Sequence, residues 1–164
     1  MADLIKELVE QDGIIGLAGF TDMGVEEGEY PSEYTIWDIE SPAEGEWLNV
    51  RPNVVAVHVA SEASSYVRYE LWDGPPPIDP SWPRSWEGEL FLASGRICAA
   101  SLVPAFAEHD YHAVFDLGAA ATNWPIRIYS KSPEDHPEPG FPRIVGGPVL
   151  FKLQFWPPDS GSSA

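Results

Sequence analysis

The residues best suited to chemistry lie at Glu108-His109-Asp110-Tyr111-His112, where two imidazoles three positions apart alternate with carboxylates. A metal centre needs three or four converging ligands, and this stretch supplies only a local pair outside the helical H-E-x-x-H spacing. The ordinary reading is a pair of solvated histidines entering a strand. His58 falls in an apolar run and reads as a core or edge residue, and His136 falls in a proline-rich stretch. Ser94 and Ser101 lack the G-x-S-x-G surroundings of an activated serine. The spaced glycines Gly13, Gly16 and Gly19 have no Walker lysine and open no βαβ unit, which argues against a phosphate-binding loop. Glu87 and Glu89 share one face of a strand, where two solvated acids are commoner than an acid/base pair. Cys98, the one cysteine, sits in an apolar run and reads as a buried, inert thiol. These observations lead to the expectation of a non-enzyme, with no catalytic residue, no metal and no cofactor.

Charge is the stronger signal. The chain has 164 residues with 26 acidic side chains against 9 basic ones, a formal charge of −17. Residues 1–50 contain 13 of the acids and Lys6 as their lone base. Glu26, Glu27, Glu29, Glu33, Asp38, Glu40, Glu44 and Glu46 form a single-sign run, with Trp37 and Trp47 as aromatic anchors within it. Such a field argues against a nucleic-acid or anionic-membrane binder, both of which present clustered Lys and Arg. It suits a basic protein partner, whose approach it would accelerate. A second aromatic group, Trp72, Trp82 and Trp86, surrounds the prolines at 75–77, 80 and 83. It reads either as a rigid sugar- or peptide-binding platform or as packing that stiffens a long connection.

These residues need a scaffold, and the pattern predicts strands. Val54–Val59, Tyr66–Trp72, Gly88–Ser94, Ile97–Val103, His112–Leu117, Pro125–Ser130 and Val149–Trp156 are short apolar or alternating runs bounded by Gly and Pro. Ile14–Phe20 and Tyr34–Ile39 are two further strand candidates, and Asp22–Glu33 reads as an exposed loop. Leu4, Ile5, Leu8 and Val9 recur at helical spacing ahead of Asp12-Gly13, predicting a short helix over 3–11. The expected fold is all-β: an antiparallel β-sandwich of seven to nine strands with a short N-terminal helix. One domain over 1–158 follows from the length, with a long loop at 132–148 and a disordered tail at 159–164. The absence of a signal-peptide pattern and of any apolar stretch of transmembrane length makes the cytoplasm the expected compartment.

Several strand ends carry a pattern seen elsewhere: Tyr69-Glu70-Leu71-Trp72-Asp73, Trp86-Glu87-Gly88-Glu89-Leu90, Phe115-Asp116-Leu117-Gly118, Trp124-Pro125-Ile126-Arg127-Ile128-Tyr129 and Phe151-Lys152-Leu153-Gln154-Phe155-Trp156-Pro157. Between residues 65 and 158 the chain resembles small bacterial β proteins of the competence nuclease-inhibitor (ComJ-like) group. The resemblance implies a β-sandwich and, by analogy, binding to a DNA-entry nuclease. Residues 1–50 have no secure match in it, and no inhibitory residue transfers position by position. Taken together, the sequence reads as an acidic protein-binding module, an inhibitor or immunity-type protein of a basic nuclease or toxin. The alternative is a carbohydrate- or peptide-binding sandwich that uses Trp72, Trp82 and Trp86.

Overall fold

Alternating apolar residues on β6 (Ser64–Trp72), β11 (Thr122–Lys131) and β12 (Val149–Phe155) make the central strands of one sheet. A computed structural model describes residues 2–10, 13–58, 64–103, 108–131 and 149–158. In the first sheet, β1 (Leu4–Val9), β6, β12, β11 and β7 (Arg84–Leu92) lie in that order, and β2 (Ile14–Ile15) also pairs with β6. The second sheet has the order β10 (Phe115–Asp116), β8 (Arg96–Val103), β3 (Leu17–Asp22), β5 (Val54–Val57) and β4 (Leu48–Arg51), with β9 (Glu108–Tyr111) against β8.

The two sheets face each other across one core. Val67, Tyr69, Leu71, Ile126, Ile128, Phe151, Leu153 and Phe155 of the first sheet meet Leu17, Phe20, Val55, Val57, Ile97 and Ala99 of the second. Phe20 stands edge-on to Tyr69 and Phe151, and Tyr69 stacks on Phe115 at 5.4 Å. Such aromatic pairs add about 0.5–1.5 kcal/mol each beyond the area they bury. The expected all-β sandwich is the observed architecture.

The structure departs from three local expectations. Leu4–Val9 is a strand rather than a helix: it pairs antiparallel with β6, placing Leu8 opposite Tyr69 and Glu7 opposite Glu70. Leu8 packs on the core and Glu7 forms an ion pair with Arg68, so tertiary pairing overrides a weak helical period. The helix of the N-terminal region is instead α1 (Met23–Glu26), a single turn capped by Asp22. Tyr34–Ile39 is a turn, because Thr35 Oγ1 receives the Trp37 and Asp38 amides and the Thr35 carbonyl receives those of Asp38 and Ile39. Those local bonds displace a ladder. Within His112–Leu117 only Phe115–Asp116 is strand, and the ladder beside β8 is extended by Glu108–Tyr111.

The sheets are antiparallel throughout the described residues except where β12 runs parallel to β6 over seven matched positions. The chain between them, residues 73–148, makes the crossover that a parallel pair requires. The strand count exceeds seven to nine because two-residue strands such as β2 and β10 carry no periodic signal. The predicted loop at 132–148 and tail at 159–164 lie outside the described residues. Among the described residues, no helix is long and apolar enough to cross a membrane.

Gly19 sets how closely β3 approaches β5. A Cβ there would sit 2.0 Å from the Val55 carbonyl oxygen, and backbone cannot yield as a flexible side chain does. Gly19→Ala is expected to cost about 2–3 kcal/mol, measured as a lower urea midpoint at unchanged slope.

Candidate functional site

The acidic segment leaves α1 and folds over the outer face of the second sheet. Alternate residues of β3, β5 and β8 point away from the core, and Ala18, Val54 and Ala100 form an apolar floor there. Ile36, only 5% exposed, plugs that floor, flanked by Tyr34, Ile39 and Tyr111. The segment around Ile36 is therefore a docked cover, whereas the predicted loop ahead of it is exposed from Glu27 to Pro31 and at Glu33. One apolar residue among carboxylates supplies the cover's anchor, worth roughly 1.5–3 kcal/mol of burial.

Glu26 ties the cover down. Its Oε2 accepts from the Thr21 hydroxyl at 2.7 Å and the Ile36 amide at 2.8 Å, while its Oε1 accepts from the Tyr111 hydroxyl at 2.9 Å. Burial, with help from the Glu26 bond and charge, pushes Tyr111 up to about 12. Glu26 is thus a structural tie, and its carboxylate is committed within the fold.

Asp22 does comparable work beneath. It is fully buried; Oδ1 accepts from the Val25 amide and the Ser94 hydroxyl, and Oδ2 from the Ser94 and Gly95 amides. One carboxylate joins the N-terminus of α1 to the β7–β8 turn. Asn53, at φ 71, joins the same region to the first sheet: its Oδ1 accepts from the Ala93 amide and its Nδ2 donates to Ser32. Neither role was legible in the sequence, although an Asp just ahead of a helical turn is a capping signal.

The remaining acids divide into two groups. Glu27 and Glu29 both accept from Arg96 Nη2, at 3.1 and 2.7 Å. As solvent-exposed pairs these contribute on the order of 0.2–1 kcal/mol each. Glu33, Asp38, Glu40, Glu44 and Glu46 are exposed on the cover, with Asp38 accepting from Thr35 Oγ1. Trp37 is 52% exposed among them. Trp47 is half-buried against the core, and the Arg84 guanidinium lies 5.4 Å above its ring.

The second aromatic group is not assembled into one surface. Trp82 is 4% exposed, held by Tyr129 at 5.7 Å and by the ammoniums of Lys131 and Lys152 at 4.2 and 4.9 Å from its ring. It belongs to the connection after β6, which covers the outer face of the first sheet. There Arg127 donates to the Pro76 carbonyl, and Lys152 meets Asp79 at 3.3 Å. Hydrogen bonds from Ser81 and the Lys152 charge hold Asp79 below its usual range, against the opposing effect of burial. Trp72 donates to Glu70 on that outer face, whereas Trp86 packs toward the core on the other.

The histidine stretch is divided as well. His112 Nε2 lies 3.0 Å from the Ser101 hydroxyl, which is itself buried. His109 is on β9 with its side chain outside the described set, and His136 lies outside the described residues. His58 is exposed after β5. Among the described residues, no group of three His, Cys, Asp or Glu side chains could hold a metal ion. Cys98 is buried 3.6 Å from the Met23 sulfur; burial, then the charges of Glu26 and Asp22, push its thiol up to about 12.

These shifts predict alkaline lability. Cys98 and Tyr111 rise from ordinary values of 9.0 and 10.0 to about 12, and burial also raises Tyr69. Each is neutral in the fold while the unfolded chain ionises, so their contribution is complete below pH 9 and lost as the pH climbs toward 12. Urea midpoints are expected to be flat with respect to these groups up to about pH 9 and to fall steadily above it.

No family model matches the chain, and no curated protein does. Among solved structures it resembles ComJ, inhibitor of the DNA-degrading activity of NucA, from Bacillus subtilis, with a TM-score of 0.55 and 8% identity over 96% of this chain and 99% of that one. The product of crocagin biosynthetic gene J gives a TM-score of 0.45 and 16% identity over 96% and 98% of the two chains. The chain thus shares the ComJ fold over 96% of its length, as the strand-end segments implied.

Proposed function

We propose that this protein is an acidic protein-binding module of the cytoplasm, an immunity-type inhibitor of a basic nuclease or toxin, and that it is not an enzyme. The observation that carries this reading is the docked cover. Between Lys6 and Arg51 the chain has no lysine or arginine, yet Ile36 and Glu26 hold its carboxylates as a folded surface on the second sheet. A fixed field of one sign attracts a partner of the other and raises association rates by roughly 10–1000-fold at low ionic strength. Nucleases suit such a surface, because a groove that binds phosphates is lined with Lys and Arg. The fold shared with an inhibitor of DNA degradation supports the nuclease form.

The sugar-platform reading draws no comparable support, since Trp82 is buried and Trp72 and Trp86 point to opposite faces. The test is capture from extracts of the native host on the immobilised protein, with the bound fraction identified by mass spectrometry. A basic protein retained at low salt and released at raised salt is expected. Recovery of no salt-sensitive basic protein would overturn the proposal.

A further inference from the structure

An unpaired sheet edge is a template for another strand, and folds blunt their edges in recognisable ways. Here β4, β9 and β10 are short, at four, four and two residues. β1 has a register shift between Leu4 and Lys6, and it turns Lys6 inward, with the ammonium 5.2 Å from the ring of buried Phe115. β7 has neither device. It matches β11 at nine successive positions without a shift, from Arg84 opposite Ser130 to Leu92 opposite Thr122. Among the described residues, no strand pairs with its other side.

Two hydrogen bonds fix which groups that side presents. The Pro125 carbonyl turns toward β12 and receives the Trp156 amide at 3.3 Å, so Glu89, opposite Pro125, directs its own amide and carbonyl away from β11. Two residues on, the Phe91 carbonyl leaves the sheet to receive the Asn53 amide at 2.7 Å. By the same alternation, Ser85 and Glu87 also direct their amides and carbonyls outward. Ser85, Glu87 and Glu89 are all exposed. The acids of the cover adjoin this edge, because Glu46 precedes Trp47, whose ring lies under Arg84 at the start of β7.

Charge decides what can add there. Glu87 and Glu89 share the outer face of the sheet, and Glu87, which accepts from Arg127 Nε at 2.9 Å, still has its side chain 56% exposed. Residues directly opposed in an antiparallel ladder also share a face. In a second copy of this chain, the registers that use the whole exposed stretch therefore set Glu87 opposite Glu87 or opposite Glu89, and like charges so placed repel. A strand with lysine or arginine at alternate positions instead pairs both carboxylates. We propose that the outer edge of β7 receives an extended segment of the basic partner, which adds as a strand beside Ser85, Glu87 and Glu89 with its cations on the carboxylate face. This rests on the protein-binding reading above and adds the element and the backbone geometry of the contact.

The experiment uses the full chain and, as probe, an acetylated peptide alternating lysine and valine. Hydrogen exchange followed by NMR should show the Ser85, Glu87 and Glu89 amides slowed when the peptide is added. With lysines opposite the glutamates, the lysine amides face β7 and the valine amides face away. A peptide N-methylated at its lysine nitrogens should therefore bind at least about 10-fold more weakly, whereas one N-methylated at its valine nitrogens, of identical charge, should match the parent. Ser85→Pro removes an outward donor while leaving every carboxylate in place, and it should weaken the basic protein eluted by salt from the immobilised wild type about 10-fold with an unchanged salt slope. Equal binding of the two methylated peptides, unslowed amides, or wild-type affinity of Ser85→Pro would overturn the inference while the acidic-module reading stands. The methylated pair decides the matter without any variant of the protein. Recovery of no salt-sensitive basic protein overturns the reading on which the inference rests.

Discussion

Asp22→Ala is expected to destabilise the protein by about 4 kcal/mol, because the buried carboxylate satisfies four donors at once. Without it the amides of Val25, Ser94 and Gly95 lose an anionic acceptor in a site closed to water. For a domain of this size the change corresponds to a thermal midpoint lower by roughly 8–16 °C. Asp22→Asn should recover little, since one end of its amide would present further donors to the Ser94 and Gly95 amides. Thermal unfolding followed by circular dichroism checks both. A drop under about 1 kcal/mol for the alanine variant would contradict the role assigned to this residue. The loss also bears on function: Asp22 starts the turn from which Glu26 reaches Ile36 and Tyr111. Loosening that turn frees the cover, and partner binding should fall with it.

Replacing Glu33, Glu40, Glu44 and Glu46 together by Gln should slow partner association on the order of 100-fold at low salt and leave dissociation nearly unchanged. All four are exposed, and none is needed to hold the cover in place. Folding stability should stay level or rise slightly, because like charges repel and these four have no described ion-pair partner. Raising the salt should erase the difference between variant and wild type, as the screening length falls from about 10 Å at 0.1 M to about 3 Å at 1 M. Stopped-flow association at several ionic strengths provides the check.

The sequence and the structure agree most where a residue's environment is set by its own strand. Tyr66–Trp72 and Val149–Trp156 alternate because one face meets the core, and the pattern survives burial of the other face by the proline-rich connection. Leu4–Val9 misled because its spacing fits either a helix or a strand, and only the waiting edge of β6 decides between them. Thr35–Asp38 misled because four local hydrogen bonds outweigh the β propensity of Tyr, Thr, Ile and Trp.

The candidate surface was legible as charge, not as architecture. Composition places the carboxylates in one segment, but which are tied and which are exposed depends on partners distant in the chain. Tyr111 lies 85 residues from Glu26, and Ser94 lies 72 from Asp22. No local motif announces such pairs. Trp82, conspicuous beside its prolines, is a packing residue for the same reason: the lysines over its ring belong to strands late in the chain.

Recruitment of a basic protein by the exposed acids of the cover is what the proposed function requires. Its most direct test is the affinity of the captured protein for the wild type and for the four-glutamine variant across a series of salt concentrations. A steep fall in wild-type affinity with salt, a shallower fall for the variant, and convergence at high salt are expected. Parallel curves of equal slope, or a partner whose binding ignores salt, would contradict it.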